Sequence, residues 1–113
     1  MNQSITLNLH RIDNKKTKAT STLIVDLLKN FDIPGTMAVR LFQQSGGEYL
    51  VRKCFLLEYY LYKKKPVLDK RRWLLAAINN NWNESDDFLN WYKSRREYIL
   101  NNGNDDLKRL VSI

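Results

Sequence analysis

Histidine and cysteine are almost missing from this chain, which holds one of each, His10 and Cys54, among 113 residues. A single cysteine excludes an intrachain disulfide and any cysteine cluster for zinc, and fits a reducing, cytoplasmic setting. A single histidine leaves Ser-His-Asp and Cys-His constellations only His10 to build on, in the least regular segment. Glycine is scarce, with four residues; Gly46-Gly47 is too short for a phosphate-cradling loop. Long hydrophobic runs are also lacking. The longest, Cys54–Tyr62, is interrupted by Glu58 and is far too short to cross a bilayer. No apolar run follows basic residues at the N-terminus, so no secretory signal is read there. Asp86 and Asp87 are adjacent and point apart on a helix, which suits a helix N-terminus better than a metal. The expectation is a non-enzymatic protein with no cofactor, no metal and no membrane partner.

What is present is helical periodicity and positive charge. The chain is long enough for one domain with a real core, and 43% of its residues are hydrophobic. Residues 1–20 stand apart. Ile5, Leu7 and Leu9 alternate with Thr6, Asn8 and His10 as in a short strand. The following stretch, with Lys15, Lys16 and Lys18, reads as a flexible basic linker. Residues 21–113 read as a single helical domain. Ile24, Leu27, Leu28 and Phe31 form one stripe, with Thr20, Ser21 and Thr22 offering cap oxygens. Ile33-Pro34-Gly35 stops that helix. Thr36 is placed to cap a second one carrying Met37, Ala38, Leu41 and Phe42, which Gly46-Gly47 ends.

A third helix led by Glu48 is apolar almost all round, the pattern of a central element, and Pro66 breaks it. A fourth runs from an Asp69 cap to about Asn81. A fifth starts from an Asn83 cap, with Asp86 and Asp87 in its first turn, and closes at Gly103. Asp105–Val111 adds a last turn. The predicted fold is all-α, a compact bundle of about five helices with a flexible or strand-like N-terminal arm.

Lys and Arg total nineteen against twelve acids, a net charge of +7. Six of the nineteen, Lys63, Lys64, Lys65, Lys70, Arg71 and Arg72, fall within ten residues beside one acid, Asp69. Such a cluster suits a polyanion, because each cation meeting a phosphate releases condensed counterions. Lysines at a helix C-terminus also complement its dipole, so a solvated loop is the competing explanation. Trp73, Leu74, Ala77 and Ile78 should face inward. Arg72, Ala76 and Asn79 share the opposite face of the same helix, with Asn80 at its margin; Arg and Asn are able to read guanine and adenine edges. Arg95, Arg96, Lys108 and Arg109 could extend the basic surface. Three tryptophans and six tyrosines fall largely on core stripes; Tyr49 and Tyr60 are the best candidates for partly exposed rings that stack on bases. Cys54 reads as a small buried hydrophobe.

The segment from Phe31 to Trp82 resembles a helical module of bacterial plasmid replication initiators and phage replisome-organiser proteins. That module carries a glutamate-led helix, then Val-x-Asn-Pro-x-Gly-Trp/Tyr-Leu-x-x-Ala-Ile-x-x-x-Trp. Here Val67, Trp73, Leu74, Ala77, Ile78 and Trp82 match, while Lys70 stands for the proline and Arg72 for the glycine. The family normally joins the module to a winged-helix DNA-binding domain, for which this chain shows no pattern. The resemblance implies a helical fold and a place in DNA replication. The leading expectation is a DNA-binding module holding duplex DNA. The alternative is a protein–protein adaptor or homodimer using the Ile5–Leu9 segment and exposed aromatics. A paired ribbon reading DNA through Thr6, Asn8 and His10 and an anionic membrane surface rank below these.

Overall fold

A computed structural model describes residues 19–113. Six helices follow in order: α1 (Thr20–Lys29), α2 (Gly35–Ser45), α3 (Gly47–Tyr62), α4 (Lys70–Asn80), α5 (Asp86–Asn102) and α6 (Asp105–Val111). No strand occurs among the described residues. The expected Ile5–Leu9 strand and the Lys15, Lys16, Lys18 linker lie outside them. Helix begins at Thr20, one residue before the expected boundary.

α3 packs against each of the other five helices, as its nearly all-round apolar pattern predicts. Leu50, Val51, Cys54 and Leu57 of α3 meet Leu23, Ile24, Leu27 and Leu28 of α1 in the core. Leu41 of α2, Leu74 and Ile78 of α4, and Leu110 of α6 complete it. The α1–α2 connection turns at Asp32, whose φ is 66°. Asp tolerates this left-handed geometry better than most residues. Ile33 then folds its N–H back to the Leu28 carbonyl (3.3 Å) and is buried. Gly46, with φ 81° and ψ 162°, bends the chain from α2 straight into α3, a conformation that costs glycine least. Gly47 lies so close to α1 that an added Cβ would meet Ile24 Cδ1 at 2.5 Å.

Three expected caps are wrong. Ala19, not a hydroxyl residue, stands at the start of α1 and makes no side-chain cap bond. Pro34 precedes α2, which starts at Gly35 before Thr36 can cap it; the fixed φ of proline already suits helix entry. Ser85, not Asn83, caps α5, its hydroxyl accepting from Phe88 N–H at 3.1 Å. The Asp69 cap of α4 is present, accepting from Arg72 N–H at 3.1 Å.

Candidate nucleic-acid interface

The connection from α3 to α4 carries the six clustered cations. Lys63, Lys64, Lys65, Lys70, Arg71 and Arg72 are all exposed. None forms an ion pair among the described residues. The one acid within this segment, Asp69, spends one carboxylate oxygen on the α4 backbone. Val67 packs against the core, whereas its neighbour Leu68 is wholly exposed.

Two local features of this connection run against helix preference. The first turn of α4 is Lys70-Arg71-Arg72 with no acid, although cations at a helix N-terminus meet the positive end of its dipole. α5 and α6 obey the rule, opening on Asp86, Asp87 and on Asp105, Asp106. The second feature is Lys64, held at φ 59°. Lys64 N–H bonds Leu61 O and Lys65 N–H bonds Tyr60 O, a helix ending in which glycine usually takes the left-handed place. A lysine there costs roughly 1–2 kcal/mol. Departures from local preference gather where function demands them.

Rings hold the lysine stems. Lys63 Nζ lies 6.0 Å from the Tyr59 ring centre and Lys65 Nζ lies 5.9 Å from that of Tyr60. Behind them an aromatic wall joins three helices. Trp82 meets Trp73 edge-on (5.1 Å), Trp73 meets Tyr60 (5.0 Å), and Tyr59 meets Trp91 (5.3 Å) and Phe88 (5.6 Å). This wall fixes the angle at which α4 leaves α3.

A buried lysine completes the support. Lys53 is 1% exposed. Its Nζ donates to the Trp82 carbonyl at 2.6 Å, lies 3.1 Å from Glu84 Oε2, and faces the Tyr49 ring at 5.3 Å. The buried ammonium is thus matched by one hydrogen-bonded carbonyl, one carboxylate charge and one π face. Arg52 Nε holds the other Glu84 oxygen at 3.0 Å. One helical turn before Lys53, the Tyr49 hydroxyl donates to the Ile78 carbonyl at 2.6 Å, one of the last-turn carbonyls a helix cannot satisfy itself. Tyr49 and Lys53 therefore clamp the C-terminal end of α4, where Asn81 turns left-handed at φ 47°. Sequence reading missed Lys53. Its signal was position: it shares the inward face of α3 with Leu50, Cys54 and Leu57, where any cation needs a partner.

The remaining expected residues divide. Arg72 and Asn79 are exposed on one face of α4, with Ala76 half-buried between them. Asn80 is committed to its own helix, donating to Ala76 O at 3.0 Å. Arg95 lies 3.6 Å from Glu58 Oε2. Arg96 Nε donates to Val111 O at 2.7 Å, fastening α6 to α5. Arg109 Nη2 donates to Thr20 Oγ1 at 3.2 Å. Arg95, Arg96 and Arg109 therefore each make a contact within the fold, to a carboxylate, a carbonyl and a hydroxyl in turn.

The expected partial exposure of Tyr49 and Tyr60 is present, since both are half-buried; Tyr49 packs against the α4 end and Tyr60 between Tyr59 and Trp73. Tyr62 and Tyr98 are the open rings, 65% and 59% exposed. Cys54 is buried as expected; burial, then the Glu58 carboxylate, push its thiol far above the ordinary value. A cleft of about 120 Å³ between Arg52, Tyr92, Arg96 and Val111 includes none of the clustered cations. Among the described residues no group of three His, Cys, Asp or Glu could hold a metal ion. No helix there is long and apolar enough to cross a membrane.

Searches against models of protein families, curated proteins and solved structures find no match to this chain.

Proposed function

We propose that this chain is a small non-enzymatic DNA-binding module, associated with replication, that grips the phosphate backbone of duplex DNA. Lys63, Lys64, Lys65, Lys70, Arg71 and Arg72 make the grip. The observation that carries this reading is six exposed cations in ten residues, with no carboxylate of the described residues paired to any of them. Phosphate contacts would position the module. Arg72 and Asn79, one face of α4, then stand nearest the base edges, and the low profile of Ala76 lets that face approach a groove. The likeness of Val67–Trp82 to the replication-initiator pattern supplies the link to replication.

The salt dependence of duplex binding tests this. Replacing Lys64, Lys65, Arg71 and Arg72 by Ala should flatten the slope of log affinity against log salt by roughly 3 to 4 units, at about 0.9 per contact. An unaltered slope overturns the assignment.

A further inference from the structure

Beside the cation cluster runs a row of rings that duplex binding leaves unused, Tyr62 and Tyr98 open and Trp91 half-buried. Tyr62, the last residue of α3, lies against Trp91 of α5 with ring centres 6.1 Å apart and planes 30° from each other. Trp91, Arg95 and Tyr98 follow at i, i+4 and i+7, so they share one face of α5. The Arg95 guanidinium lies 5.9 Å from the Tyr98 ring centre. Arg95 is also under-used: its contact to Glu58 is 3.6 Å long, and its buried Nε has no acceptor. Phe88 and Tyr59 back Trp91 from inside, so the row stands on a rigid base. Lys63 adjoins Tyr62 in the chain and leans on Tyr59.

We infer that the row Tyr62–Trp91–Tyr98, with Arg95, binds the unpaired bases of single-stranded nucleic acid. In a duplex the base faces are covered by their neighbours and only edges are offered. An exposed ring face therefore gains most from bases that are already unstacked. The occupant is a polyanion because the row abuts a segment of net charge +5, from Lys63 to Arg72. This inference rests on the nucleic-acid reading above and names a second form of its ligand. The two surfaces together would suit DNA in which a duplex meets a single strand.

The test uses the full chain, a fluorescein-labelled oligothymidine and a labelled duplex of equal length. Replacing Tyr62 and Tyr98 together by Ala should weaken oligothymidine binding by about thirtyfold or more, from a stacking contribution of at least about 1 kcal/mol per base, and leave duplex affinity unchanged. The Tyr62→Phe, Tyr98→Phe variant keeps both ring faces and should bind oligothymidine like the parent. Unchanged oligothymidine affinity in the alanine variant, or an equal loss for both ligands, overturns the inference. So does a concentration-dependent dimer in sedimentation that the alanine variant abolishes while oligothymidine binding persists. The four-cation variant separates the two proposals: a normal duplex salt slope there defeats the duplex reading alone, while a selective loss in the ring variant still upholds the row.

Discussion

Lys53 and the lysines of the α3–α4 connection are the same residue type, ten positions apart in one helix and its exit. Lys53 is sealed under the α4 end with a carbonyl, a carboxylate and a ring as partners. Lys63, Lys64 and Lys65 are exposed, with no carboxylate partner among the described residues. The first arrangement is structural: a buried cation must be matched or the fold loses several kcal/mol. The second does little for the fold, and Lys64 even sits in a backbone conformation that disfavours it. Charge alone therefore does not mark a binding residue. Charge that is unpartnered, exposed and locally unfavourable does.

Four measurements by chemical denaturation sharpen or break this contrast. Lys53→Met should have the largest effect, a loss of about 3–5 kcal/mol. Because Arg52 still pairs with Glu84, the lower end is expected, and a loss under about 1 kcal/mol would show the clamp to be dispensable. Tyr49→Phe comes next, with a loss of about 1–3 kcal/mol from leaving the Ile78 carbonyl without its donor. The same contact has an alkaline signature. Burial first, then the Glu84 charge, raise the Tyr49 hydroxyl above its ordinary value of 10.0; burial likewise raises Tyr92. A group that holds its proton more tightly when folded stabilises fully below its unfolded value and loses that contribution as pH climbs through the folded one. Stability limited by these tyrosines should thus fall only above about pH 10, and Tyr49→Phe should soften the fall.

Lys64→Gly should act in the opposite direction, raising stability by about 1 kcal/mol through relief of the left-handed backbone. It should also reduce the duplex salt slope by about 0.9. A destabilised glycine variant would mean that the Lys64 side chain serves the fold. The smallest effect belongs to the connection itself: each of Lys65→Ala, Arg71→Ala and Arg72→Ala should change stability by less than about 0.5 kcal/mol. Larger losses would place those side chains with Lys53 rather than against it.

Much of this contrast is legible in the sequence. The central rank of α3 follows from its all-round apolar pattern, and the breaks at Pro34, Gly46 and Pro66 follow from backbone chemistry. The Asp69 cap and the cation cluster stand in the sequence as they stand in the fold. The caps of α1, α2 and α5 were misread because several neighbouring oxygens compete for one site, and backbone geometry chooses among them. The partner of the Tyr49 hydroxyl was not legible because it lies 29 positions away. The contacts of Arg95 with Glu58 and of Arg96 with the Val111 carbonyl lie 37 and 15 positions apart in the chain and show only in the packed fold.

Residue order was sufficient for the helices, their apolar faces and the density of positive charge, because those depend on neighbours three or four residues away along the chain. Which cations are matched and which are free, and which rings are open, depended on how the helices pack. Those outcomes are settled by groups distant in the chain that meet only when α4 and α5 close against α3.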